Sequence, residues 1–197
     1  MSTIIQPPPF FSEQNNSIGG KLHVYSDPGE KVLAATYLLF DREGMIETIW
    51  HADPPTISQF LEGAFRKNLT YYVCMFQPEG QERAEIAGLT WAYDVTRLGK
   101  ATIATVGMAF LRAYQHRGIP REFANLAIDM GFEAGLDVMY GYTPLPNVPA
   151  LRFISQCGFH AIGDLPLYTT FKGEACGVRI SVLTKEMWAR PESGHQE

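Results

Sequence analysis

The sequence predicts an α/β (α+β) fold: one mixed, mostly antiparallel sheet covered by helices. Strand-like and helix-like hydrophobic patterns follow one another as strand, strand, strand, helix, strand, helix, strands. Tyr71 to Phe76 and Glu85 to Val95, joined through the turn Pro78-Glu79-Gly80, read as an antiparallel pair. Between Ala101 and Thr143 a strand, an amphipathic helix and a further strand form a unit whose strands should be parallel and whose crossover should be right-handed. The chain has 197 residues, 46% of them hydrophobic and 19% charged, which is enough to bury one real core and favours a single domain.

Residues 1–20 contain Pro7-Pro8-Pro9, a polar run from Ser12 to Ser17, and Gly19-Gly20, so a flexible arm is expected. Residues 21–188 form the expected domain, and 189–197 a flexible tail. Lys31 to Phe40 is rich in strand-compatible residues and precedes Asp41-Arg42-Glu43-Gly44, so with Met45 to Trp50 it reads as a hairpin. After Pro54-Pro55, Thr56 and Gln59 have the spacing of a capping box, and Ile57, Phe60, Leu61, Ala64 and Phe65 repeat at helical spacing. Ala101 to Leu111 is the most apolar strand. Phe123, Leu126, Ala127, Met130 and Ala134 mark one face of the next helix, with Pro120 in its first turn and Gly135 at its end. Val138 to Thr143 is a short strand, and Asn147 caps a helix carrying Ala150, Leu151, Phe153 and Ile154 that closes at Gly158. A last strand pair runs from Leu167 to Phe171 and from Gly177 to Leu183.

The net charge of −5 argues against a protein devoted to a nucleic-acid backbone. The longest apolar-rich stretch, Ala101 to Leu111, is about half of the roughly 20 residues a membrane span needs, so a soluble, cytoplasmic protein is expected. Cys74, Cys157 and Cys176 match no zinc or thioredoxin-like spacing, and His51-Ala52-Asp53 lacks a third partner at ligand spacing, so no metal is expected. Trp50, Trp91 and Trp188, with Phe60, Phe65, Phe76 and Phe110, read as packing residues.

Arg112, His116, Arg117 and Arg121 make a local basic cluster suited to a small anion. They flank Tyr114-Gln115-His116-Arg117-Gly118-Ile119-Pro120, a loop between a strand and the start of a helix. The first N–H groups of a helix lack internal partners and lie at its positive end, and a glycine there lets the main chain approach an anion. The loop is therefore a candidate phosphate cradle.

This loop and Asn147 to Phe159 together resemble the GNAT superfamily of N-acetyltransferases. The family loop (Arg or Gln, two residues, Gly, one residue, Gly or Ala) is matched by Gln115, His116, Arg117, Gly118, Ile119 and Pro120. The family's downstream helix is matched in spacing by Asn147, Ala150, Phe153, Ile154, Gly158 and Phe159. The resemblance covers roughly Tyr71 to Leu183. It implies a GNAT-like sheet with splayed central strands, acetyl-CoA as cosubstrate, and an unidentified amine acceptor on a small molecule or a protein. It further implies that main-chain groups of Phe110, Leu111 and Arg112 bind the pantetheine arm, that amides from Arg117 to Arg121 take the pyrophosphate, and that Asn147 lies near the thioester, with Phe153 alongside. Two departures stand out: Pro120 removes an N–H from the cradle, and Ile154 stands where many members carry a proton-donating Tyr. They motivate the alternative of a catalytically impaired GNAT-fold binding or structural module.

Acyl transfer to an amine needs a base for the amine's proton and is helped by an acid for the thiolate. Asp94, at the end of its strand, is the candidate base, and Tyr142 the candidate acid or water-holder; His116 and His160 are further candidates. The sequence leaves the acceptor and the oligomeric state open, a homo-oligomer included.

Overall fold

Eight strands, among the described residues, form one sheet in the order β1-β2-β3-β4-β5-β6-β8-β7 in the computed structural model. The structure describes residues 10–15, 18–26, 28–50, 54–64, 69–115 and 118–189. The elements follow as β1 (Phe10–Asn15), β2 (Gly20–Tyr25), α1 (Gly29–Arg42), α2 (Ile46–Ile49), α3 (Ile57–Ala64), β3 (Leu69–Pro78), β4 (Glu85–Leu98) and β5 (Ala101–Phe110). After a 3₁₀ turn at Arg112–Tyr114 come α4 (Ile119–Glu133), β6 (Val138–Pro144), α5 (Val148–Gln156), β7 (His160–Phe171), β8 (Glu174–Thr184) and α6 (Lys185–Trp188). Neighbouring strands are antiparallel except β5 and β6, which pair in parallel as the strand-helix-strand pattern predicts.

Two expectations are corrected. The hairpin expected over Lys31 to Trp50 is instead the helix α1 followed by the short helix α2. Leu33, Thr36, Tyr37 and Phe40 are the buried positions of α1. Their spacing is helical, and burying that face outweighs the strand preference of Val, Thr, Tyr and Phe. Thr36 Oγ1 donates to Val32 O at 2.7 Å, which satisfies the buried hydroxyl within the helix. The second correction concerns the arm over residues 1–20. Phe10–Asn15 is a strand paired along its whole length with β2, and Ile18 joins the core, so the sheet starts inside that segment.

Local signals are realised as read. The Thr56 N–H donates to Gln59 Oε1 at 2.8 Å, and the Gln59 N–H donates to Thr56 Oγ1 at 3.3 Å, a reciprocal capping box. Phe65 and His51 to Asp53 lie outside the described residues. Trp50 stacks on Trp91, with centroids 5.9 Å apart, and meets Phe60 edge-on at 5.5 Å, so this aromatic group does pack together. Burial pushes the Cys74 and Cys157 thiols up, the latter to about 11, so neither is a thiolate near neutral pH. No helix among the described residues is long and apolar enough to cross a membrane.

The two faces of the sheet carry different helices. Phe60 of α3 packs on Tyr37 of α1 and on Tyr71 of β3, and Trp50 covers Trp91 of β4, all on one face. On the opposite face Ala124, Ile128 and Phe132 of α4 pack with Met139 of β6 and Leu183 of β8, and Ile154 of α5 sits against Gly141. Phe110 bridges the helices of that face, meeting Phe123 of α4 edge-on at 5.6 Å and Phe153 of α5 at 6.2 Å.

The parallel seam between β5 and β6 is short. It pairs Ile103 with Val138, Ala104 with Met139 and Thr105 with Tyr140; beyond Thr105 the strands part. Its closed end is clamped by Asp137, whose Oδ2 accepts from the Thr102 N–H at 2.7 Å and whose own N–H donates to Thr102 O at 2.8 Å. Asp137→Ala is expected to cost about 1.5–3 kcal/mol, the range for losing a hydrogen bond to a charged group, read as a lower denaturant midpoint at unchanged slope.

Candidate functional site

The parting of β5 from β6 leaves one edge of β5 without a strand partner among the described residues, and the ladder tells which groups lie on it. The Leu111 N–H donates to Ala87 O at 3.0 Å, and Ala109, Gly107 and Thr105 continue the same pairing against Leu89, Trp91 and Tyr93. In an antiparallel ladder alternate residues turn their main-chain groups to the same neighbour. Those of Val106, Met108 and Phe110 therefore point away from β4 and into the gap. Of Phe110, Leu111 and Arg112, expected from the resemblance to bind a pantetheine arm, Phe110 has its main-chain groups on this edge. Leu111 is bonded to β4, and the Arg112 N–H donates to Glu43 Oε2 at 2.8 Å. Val106 and Met108 went unnoticed in the sequence; the period of two along β5 identifies them once one ladder bond is known.

The helix α4 starts beside the far end of this edge. Gly118 is its N-cap at φ +76°, a left-handed backbone where a side chain is strained, and a Cβ there would lie 3.3 Å from Ile18 Cγ2. The Arg121 and Glu122 N–H groups both donate to Gly118 O, at 3.1 and 3.2 Å, and Pro120 has none to offer. Gly118 and Ile119 carry the remaining N–H groups of the described turn, so the cradle here is narrower than the span Arg117 to Arg121. His116 and Arg117 lie outside the described residues. Gln115 Nε2 donates to Phe110 O at 2.8 Å, tying the loop to the open edge, while the Arg112 and Arg121 side chains are exposed nearby in sequence.

Across the gap, Asn147 caps α5 through Oδ1, which accepts from the Ala150 N–H at 3.3 Å. Its side chain is thus engaged by the helix. Phe153 leans toward Phe110, and Ile154 rests where Gly141 leaves room: a Cβ on Gly141 would lie 2.5 Å from Ile154 Cδ1.

On the opposite face of the sheet the same parting opens a cavity of 280 Å³. Tyr93 and Asp94 of β4 and Thr105 of β5 line one side; Tyr142 of β6, Val178 of β8, and Tyr168 and Thr169 of β7 line the other. Both residues singled out for acid-base work, Asp94 and Tyr142, are therefore in one place. His160 is exposed at the start of β7, among residues that do not line the cavity.

Two bulges build this cavity. On β4, Asp94 and Val95 stand between the pairs Tyr93 with Thr105 and Thr96 with Ile103, so two residues oppose Ala104 alone, and Asp94 has φ +53°. On β7, Pro166, Leu167 and Tyr168 stand between the pairs Leu165 with Val178 and Thr169 with Cys176, so three residues oppose Gly177. Gly177 admits this loop because a Cβ would lie 2.7 Å from Leu165 O. The bulge sets Tyr168 parallel to Tyr142, with ring centroids 6.2 Å apart and planes at 15°. Burial first, then Asp94, Tyr142 and Tyr168, raise the Tyr93 pKa against a hydrogen bond with Thr105 that lowers it, so Tyr93 stays a protonated phenol near neutral pH.

The sequence matches the family model described as the acetyltransferase (GNAT) family over residues 34–159. No curated protein sequence matches the chain significantly. Among solved structures, a Vibrio cholerae spermidine N-acetyltransferase in complex with CoA and spermine superposes with a TM-score of 0.69 at 16% identity, covering 89% of this chain and 100% of that one. A ribosomal-protein-S5-alanine acetyltransferase from Vibrio fischeri superposes with a TM-score of 0.70 at 18% identity, covering 92% and 100%. At such identities the likeness is one of fold. With the family model spanning well over half of the sequence and the splayed β5 and β6 in place, the chain belongs to the GNAT acetyltransferase family.

Proposed function

We propose that the protein is an acetyl-CoA-dependent N-acetyltransferase that acts on an amine of a small molecule or a protein. The observation that carries this reading is the β5-β6 seam, closed over three pairs and then open beside the Gly118-capped start of α4. The residues fit the cofactor. Main-chain groups of Val106, Met108 and Phe110 offer a strand-like edge for the amides of the pantetheine arm. The N–H groups of Gly118 and Ile119, at the positive end of α4, suit the pyrophosphate, with Arg121 adding charge. The CoA and spermine in the structural relative agree with a thioester donor and an amine acceptor.

Bound there, acetyl-CoA supplies an acetyl group that passes from sulfur to the amine nitrogen: the C–N bond forms, the C–S bond breaks, and CoA leaves as a thiol. Asp94 takes the proton the ammonium must lose before its nitrogen can attack. Tyr142, at the start of the open stretch of β6, gives a proton to the departing sulfur and is reprotonated by the second proton that the nitrogen sheds as the amide forms. Ile154 has none to give. That absence favours the second reading, a GNAT-fold module that binds cofactor without turnover, and release of free thiol over an amine panel separates the two.

Calorimetry with acetyl-CoA tests the cofactor site, and the absence of binding at high micromolar concentration would sink it. Gly118→Val is expected to weaken acetyl-CoA about tenfold, because a branched side chain in left-handed backbone costs about 1–2 kcal/mol and displaces the turn. An unchanged affinity would remove the α4 turn from the site.

A further inference from the structure

We infer that the cavity between the two bulges selects acceptors bearing a single primary ammonium on an apolar or aromatic body, and discriminates against polycations. The inference rests on the transferase reading and adds its substrate class.

Among the described lining residues Asp94 is the one charged group. An ammonium entering beside it gains a counter-charge and two parallel tyrosine faces, Tyr142 and Tyr168, which attract a cation through their ring quadrupoles. A second ammonium on the same molecule finds no second carboxylate among the described lining residues, so its desolvation goes uncompensated there.

A pair of indoles stands near the cavity. Trp91 stands two residues before Tyr93 on β4 and so shares its face. Its indole lies over Gly107, where a Cβ would be 2.4 Å from the ring, and Gly107 is two residues from Thr105. Trp50 stacks on Trp91 from outside the sheet. This indole pair adds carbon surface beside Tyr93 on the cavity's face, which suits the body of an arylalkylamine or an apolar N-terminal residue. Tyr142 and Tyr168, 39% and 60% exposed, leave the mouth open to solvent.

The test measures binding of 2-phenylethylamine, a peptide amide with an N-terminal Phe, and spermidine by calorimetry, with and without CoA, and then turnover with acetyl-CoA. Either of the first two should bind at least tenfold more tightly than spermidine, and which of them does so distinguishes a free amine from a polypeptide end. Tyr168→Ala should weaken that binding roughly three- to thirtyfold, Tyr168→Phe should restore it, and acetyl-CoA affinity should not move. Preference for spermidine, no binding of either mono-ammonium ligand, or indifference to Tyr168→Ala overturns the inference. Amine binding that depends on Tyr168 in a protein that does not bind acetyl-CoA would uphold the cavity's selectivity while sinking the transferase reading.

Discussion

Asp94→Asn is expected to lower kcat about 10² to 10⁴-fold, the usual contribution of a positioned proton acceptor, while acetyl-CoA affinity stays within about twofold. Asparagine is the informative substitution because Asp94 adopts φ +53°, a backbone that Asn tolerates and Ala does not. The bulge that aims this side chain into the cavity is thereby kept, and only the acceptor of the proton is removed. The loss should persist at saturating amine, and raising the pH should partly restore the rate as more free amine becomes available. A kcat within threefold of wild type would take Asp94 out of the chemistry.

Phe123→Ala carries the largest expected effect on stability. The Phe123 side chain is fully buried on α4, edge-on to Phe110, which in turn touches Phe153 of α5. Truncating it removes the shared partner of a cluster that holds both helices against β5, at an expected cost of about 3–5 kcal/mol. For a chain of this length that corresponds to a fall in Tm of roughly 10 °C. Because Phe110 also borders the open edge, acetyl-CoA should bind more weakly to the variant at temperatures where it is still folded. A Tm drop under about 3 °C would mean that the site collapses around the lost ring, and the assigned role of Phe123 would fail.

The elements that were legible in the sequence share a local cause. The Thr56 and Gln59 capping box, Pro120 in the first turn of α4 and Asn147 at the start of α5 each act within four residues, so their spacing alone reports them. The α1 segment was misread because its composition resembles a strand while its burial follows the helical face of Leu33, Thr36, Tyr37 and Phe40. Helix or strand there is settled by what the apolar stripe can pack against, here Phe60 of α3. Phe10–Asn15 was missed for a related reason: a polar run becomes a strand when β2 offers it an unpaired edge.

The loop from Gln115 to Pro120 and the helix from Asn147 to Phe159 were sufficient, from residue order alone, to indicate the family and to suggest where the proposed cofactor cleft lies. The identity of the cleft's edge was not. Val106 and Met108 offer only backbone there, and backbone direction depends on which ladder bond is made, a property of two strands rather than one. The proposed acceptor cavity is less local still. Asp94 and Tyr142 are 48 positions apart, and Tyr168 reaches them only because three residues of β7 bulge over a glycine of β8. A residue string determines which helices start and which strands alternate; the convergence of side chains from five strands is decided only when the sheet closes and its bulges turn them to one point.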